Sequence, residues 1–224
     1  AARGPAALDR QANLIRALEK AGRLDRALEF LPDEAEIAAR AAARRGLTRP
    51  ELSVLLAYAK MSLDHELVQS DLSDAPELAA ELRRYFPPAL RERFAAQIAA
   101  HPLRREIVAT VVANDVVNRA GLTFVHDLEA RSGRGAAEIA RAYRIVREAF
   151  QLAPLWAAIE ALDNQAAASV QHDKLIDIAG VVEHAALWLL RQGRLSFDQI
   201  DRLAPAVEHL GSVVGGLLPA DERA

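Results

Sequence analysis

The residues best suited to chemistry stand in three short stretches, and each stretch lacks a part. His65-Glu66-Leu67-Val68-Gln69 approaches the helical zinc pattern His-Glu-x-x-His. Gln69 stands where the second imidazole is needed, and an amide is a poor zinc ligand. Gly133-Arg134-Gly135 precedes a helical stretch and could cradle a phosphate, yet no strand leads into it, as a dinucleotide loop requires. The glycines at 211, 215 and 216 fail for the same reason and read as a fraying helix end. With no cysteine there is neither a thiolate nucleophile nor a cysteine-ligated metal. No Gly-x-Ser-x-Gly elbow and no Glu-x-x-His pair for a di-iron site occur either. The histidines at 65, 101, 126, 172, 184 and 209 are scattered and read as surface or capping residues. The expectation is a chain with no catalytic, cofactor-binding or metal-ligating residue of its own.

One polar cluster stands apart. In the apolar stretch 103–120, Asn114, Asp115, Asn118 and Arg119 interrupt a run of Ile and Val. At about 100° per residue, Asn114 and Asn118 share a face with Ile107 and Val111. Asp115 and Arg119 lie one turn apart in the favourable order for an ion pair. A helix so apolar around its circumference is expected to be surrounded by others, and buried amides or charges cost several kcal/mol unless satisfied. The quartet is therefore expected either to fix helix register or to meet another domain or a small regulatory ligand.

The elements that must position these residues are all helical. A first amphipathic segment stops at Gly22, a second spans 24–31, and Asp33 with Glu36 forms a capping box that opens a third. Thr48-Arg-Pro-Glu51 launches a long helix, and Asp74-Ala-Pro-Glu77 repeats the device. Further helices are expected from Pro87 or Pro88 to His101, over 103–120, 123–131, 135–150, 155–162 and 166–192, with Ser196 capping a last one. Trp156 and Trp188 fall on apolar faces and are expected to anchor the core. No strand-like alternation and no fixed repeat stand out. The reading is an all-α, irregular bundle of about nine to eleven helices without a sheet. Its expected divisions are N-terminal helices over 1–46, a main bundle over 47–192, and a C-terminal helix and tail over 193–224.

Composition narrows the function classes. The 224 residues are 51% hydrophobic and 5% aromatic, with a net charge of −3, too apolar and too neutral for a disordered chain. About a fifth are alanine, a helix-former's composition. Arginines cluster at 40/44/45/49, 83/84/91/93 and 141/144/147, but acids are interleaved with most of them, which argues for solvated helix faces and against a nucleic-acid surface. The most apolar stretch falls far short of the roughly 20 residues that span a bilayer. With no apolar leader and no initiator Met, the chain reads as a cytoplasmic piece of something longer.

Several stretches carry a resemblance. Residues 23–60 (RLDRALEFLPDEAEIAARAAARRGLTRPELSVLLAYAK), 84–128 (RYFPPALRERFAAQIAAHPLRREIVATVVANDVVNRAGLTFVHDL), 139–150 (IARAYRIVREAF) and 155–164 (LWAAIEALDN) resemble the region that follows the catalytic domain in the large bacterial NAD-specific glutamate dehydrogenases. The order LTRPEL, LRREI, ANDVVNRAG is the specific part. Departures are local: Gly135 replaces a Ser/Thr-Pro helix start, His172-Asp173-Lys174 replaces a more apolar stretch, and the likeness loosens beyond Gly193.

The resemblance implies a parent that oxidises L-glutamate with NAD to 2-oxoglutarate and ammonia, forms a homo-oligomer, and carries this region as a partner of its own catalytic domain. The catalytic lysine, the proton-shuttling aspartate and the Rossmann glycines of such enzymes find no counterpart here. The chain itself is therefore expected to serve packing, assembly or regulation without binding NAD. The competing expectation is a free-standing helical adaptor that shares this region.

Overall fold

The computed structural model describes residues 4–217, which form twelve α-helices, two short 3-10 turns and no strand. The helices are α1 (Gly4–Lys20), α2 (Glu34–Ala42), α3 (Arg49–Gln69), α4 (Ala79–Tyr85), α5 (Pro88–Arg91), α6 (Ala95–Ala99), α7 (Arg104–Ala120), α8 (Phe124–Ser132), α9 (Ala136–Ala149), α10 (Leu152–Glu160), α11 (Ala168–Arg191) and α12 (Gln199–Leu217). The chain divides after Ala137 into two compact units. The all-α expectation holds among the described residues.

In the first unit the spine is the packing of α3 along α7. Leu55, Ala59, Leu63 and Leu67 recur every fourth residue and are buried. Val108, Ala109, Val112, Ala113, Val116 and Val117 form the buried side of α7. The small residues Ala59, Ala109 and Ala113 allow a close approach, and rows four apart on both helices suit ridge-into-groove packing. At the other edge Leu8 and Ala12 of α1 meet Ile37 of α2, with Leu47 packed against them.

Local signals set several boundaries as expected. The Asp33 carboxylate accepts from the Glu36 N–H at 2.8 Å, and Glu36 accepts from the Asp33 N–H at 3.2 Å. Four expectations about element bounds fail, the first three for reasons of side-chain contacts made outside the element. Residues 24–31 form one compact turn, not a helix. Asp25 accepts from the N–H groups of Ala27 and Leu28, and Phe30 adopts φ +53°. Arg26 is drawn onto Glu19 (2.6 Å), Glu34 (3.0 Å) and the carbonyl of Pro32, which outweighs the weak helical preference of so short a segment.

Asp74 does not cap a helix with Glu77. Its carboxylate takes the guanidinium of Arg104 at 2.9 Å and that of Arg105, tying the 3-10 turn Asp71–Asp74 to the start of α7. The helix expected between Pro88 and His101 breaks into α5 and α6. Arg91 folds back onto the carbonyls of Phe86 and Arg84, and Ile98 is the one fully buried side chain in the two pieces, too little to sustain a continuous helix. Finally, α12 does not decay at Gly211 but continues to Leu217.

The second unit holds most of α9 together with α10, α11 and α12. Ile139, Ala140, Ala142, Tyr143, Ile145, Val146 and Ala149 bury α9 around most of its circumference. α10 packs on α11, and the Gln171 amide donates to the carbonyl of Ile159 at 3.0 Å. Trp156 is buried, as expected for an anchor. Trp188 is not: it is 53% exposed on α11, because the buried side of that helix runs through Val182, Ala186, Leu187, Leu189 and Leu190 instead.

Candidate functional site

Of the quartet on α7, Asn118 occupies a different environment from the one its apolar surroundings suggest. α3 and α4 pack on α7, whose buried residues include Val108, Val112 and Val116, while of the stripe 107/111/114/118 the first three are half-buried and the last is exposed. Asn118 is exposed, while Asn114, Asp115 and Arg119 are half-buried. The desolvation argument for amides forced to find protein partners therefore does not apply to Asn118. A helical wheel identifies residues that share a face, but it does not say which face a neighbour covers.

The convergence of titratable groups lies elsewhere, in a cleft walled by α1, α3 and α8. Its volume is about 170 Å³. The walls are largely aliphatic, with Leu14 and Leu18 from α1, Leu63 from α3 and Val125 from α8. Into this setting the sequence places four titratable side chains: Arg23 from the turn after α1, Glu66 from α3, and His126 and Glu129 from α8. Arg23 Nη1 lies 3.3 Å from the Glu66 carboxylate and donates to Ser62 Oγ at 2.8 Å and to the Ser62 carbonyl at 3.2 Å. Glu129 is half-buried, and its carboxylate accepts no hydrogen bond from a described residue. Burial raises its pKa from the ordinary 4.5 to about 7, the Glu66 carboxylate pushes the same way, and Arg23 opposes them. A carboxylate held near neutrality in an aliphatic cleft is the kind of perturbation that marks binding and proton-handling sites.

Of the residues singled out in the sequence, Glu66 and His126 belong to this cleft, and Arg23 and Glu129 were missed. The available signal was on α8: Glu129 stands one turn after Val125 and beside Leu128, inside the apolar stripe of its helix. The rest of the zinc-like stretch contributes nothing to the cleft, since His65 is exposed. Among the described residues no group of three or more His, Asp or Glu is arranged to hold a metal ion. His101 and His184 make local contacts, His101 Nδ1 accepting from the Leu103 N–H and His184 Nδ1 lying 2.7 Å from the carbonyl of Gly180.

The cleft stands on a stiffly tied frame. Arg10 of α1 holds Asp127 of α8 at 2.5 Å. Arg40 of α2 grips Glu51 of α3 through two contacts of 2.6 and 2.8 Å, while the Thr48 N–H donates to the same carboxylate at 2.6 Å. The Arg40 guanidinium holds the Glu51 carboxyl down at about 2 from the usual 4.5. Because the folded value lies below the unfolded one, the stability it supplies is present above pH 4.5 and is lost as pH falls toward 2. Glu51→Gln is expected to cost about 1–1.5 kcal/mol at pH 7. The deficit relative to the parent chain should shrink between about pH 5 and pH 2, as urea titrations at several pH values will show.

Among the described residues no helix is long and apolar enough to cross a membrane. The family described as glutamate dehydrogenase, C-terminal, matches residues 44–224. A protein of Halomonas elongata called NAD-specific glutamate dehydrogenase is 43% identical over 211 residues, 93% of this chain and 13% of that protein. Proteins of the same name from Pseudomonas aeruginosa and Mycobacterium tuberculosis are 40% and 37% identical over 92% and 90% of the chain. The chain thus spans 12–13% of the length of these relatives. A family match over residues 44–224, together with relatives 37–43% identical over at least 90% of the chain, gives one conclusion: this chain belongs to the C-terminal glutamate dehydrogenase family.

Proposed function

We propose that this chain is the helical accessory region of a cytoplasmic, homo-oligomeric NAD-dependent glutamate dehydrogenase, and that it packs against and supports the catalytic part without performing chemistry. The parent reaction in this reading converts L-glutamate, NAD and water to 2-oxoglutarate, ammonia and NADH. The observation that carries the reading is coverage: at least 90% of the chain aligns with 12–13% of relatives named for that activity, so most of each relative lies outside this region. The fold supports it. Bidentate and networked ion pairs fix helix to helix in the first unit, the construction of a scaffold. In the second, Val170, Val181 and Trp188 stand exposed on one side of α11 with Lys174, Asp177 and His184 between them, a mixed surface that suits covering by another part of the longer protein.

Two measurements test this. The isolated chain is expected to be helical by circular dichroism and to show no saturable NAD binding by calorimetry. In the longer protein, Trp188→Glu is expected to lower glutamate oxidation and disturb assembly while leaving the helicity of the isolated chain unchanged. Saturable NAD binding by the isolated chain, or unaltered assembly and activity of the longer Trp188→Glu protein, overturns the proposal.

A further inference from the structure

We infer that the cleft between α1, α3 and α8 is a binding site for a small organic monocation, a primary amine with a short aliphatic tail, whose ammonium group sits between Glu66 and Glu129. The inference goes beyond the accessory role and does not depend on it.

Three observations carry it. The first is size: about 170 Å³ is room for a ligand of several heavy atoms, in the range at which engineered protein cavities take up benzene. The second is charge. Two carboxylates face one guanidinium, so the cleft is one positive charge short when both acids are ionised. Arg23 already lies against Glu66 and Ser62, whereas Glu129 accepts no hydrogen bond from a described residue. The third is the wall. Leu14, Leu18, Leu63 and Val125 present hydrocarbon to anything that enters.

Those walls decide between cations. A divalent metal ion of the calcium or magnesium type seeks about six or more oxygen ligands, and this cleft offers two carboxylates and a hydroxyl amid hydrocarbon. An ammonium head with an alkyl tail matches both halves: three N–H donors for the glutamates, and methylenes for the leucines and valine. A fatty acid or an amino acid would bring its own carboxylate toward the two glutamates. The groups facing Glu129 are Glu66 from α3, Arg23 from the turn after α1 and its α8 neighbour His126, so ionising Glu129 is what creates the missing charge.

The test uses the full 224-residue chain at pH 8 and n-butylammonium chloride as the probe, followed by calorimetry and by amide chemical shifts. One-to-one, saturable binding is expected with Kd of about 1 mM, the scale for a ligand of roughly five heavy atoms. n-Butanol and butyrate, with comparable tails but no cation, are expected to bind at least tenfold more weakly, about the worth of one charge-assisted hydrogen bond. Glu129→Gln, nearly isosteric, is expected to weaken the amine by about tenfold or more, and so is lowering the pH to 6. Val125→Phe, which fills the cleft and leaves both carboxylates in place, should abolish binding. Butanol binding as well as the amine, affinity unchanged in Glu129→Gln, binding that survives Val125→Phe, or no binding at all each overturns the inference.

Discussion

Replacing Phe124 by alanine is expected to destabilise the chain by about 3–5 kcal/mol, the range for deleting a buried aromatic ring. Phe124 opens α8, is 1% exposed, and is the largest fully buried side chain of the first unit. The cost of such a deletion depends on how far the surroundings can collapse into the space. Here they are held. Gly121, at φ +105°, sets the turn between α7 and α8, the Phe124 N–H donates to its carbonyl, and Arg10 fixes Asp127 one turn further along α8. The ring cannot be replaced by sliding α8 inward without breaking those ties, so the cavity stays and the value should fall in the upper part of the range. Phe124→Leu keeps most of the volume and is expected to cost about 1–1.5 kcal/mol. Against a whole-domain stability of about 5–15 kcal/mol the alanine variant should show a large drop in the urea midpoint at unchanged slope. A loss below about 1 kcal/mol would mean that the α7–α8 corner is not packed as described.

The same corner shows what kind of information the chain's letters carry. The capping box at Asp33 and Glu36 and the stops at Gly22, Gly121 and Gly193 were legible because each is settled within four residues. Arg26 and Asp74 misled for the opposite reason. Each looks local, as a helix interior and a helix cap, yet each is claimed by partners up to 31 residues away: Glu19 and Glu34 for one, Arg104 and Arg105 for the other. Asn118 and Trp188 failed on a different point. Periodicity places them correctly among their neighbours on the helix, but burial is decided by which face another helix happens to cover. The cleft was the least legible feature of all. Arg23, Glu66 and Glu129 are far apart in sequence and come from three elements, and each alone looks like an ordinary surface charge. Only their common enclosure by Leu14, Leu18, Leu63 and Val125 sets them apart.

That enclosure has a thermodynamic consequence opposite in sign to the one at Glu51. The Glu129 carboxyl is raised from 4.5 to about 7, chiefly by burial and then by Glu66, so the folded chain holds its proton more tightly than the unfolded chain does. The sign follows from linkage. The stability this group allows is fully present below about pH 4.5 and is lost as pH rises through about 7, because ionising it in place costs more than ionising it in water. At 1.36 kcal/mol per unit the shift corresponds to about 3.4 kcal/mol, and the water that reaches the half-exposed carboxylate reduces this to about 2 kcal/mol. Glu129→Gln removes the titration and keeps the shape. It is therefore expected to be nearly neutral at pH 5 and to stabilise the chain by about 2 kcal/mol at pH 8, read as the difference between urea midpoints at the two pH values. Glu51→Gln measured alongside should instead destabilise at both, so a general effect of losing negative charge cannot imitate the result. Were Glu129→Gln to destabilise the chain at pH 8, the carboxylate would have to be gaining from its surroundings, and the uncompensated charge in the cleft would not exist. A gain at pH 8 that n-butylammonium diminishes, by binding and stabilising the parent chain but not the variant, would tie the titration and the ligand to the same carboxylate.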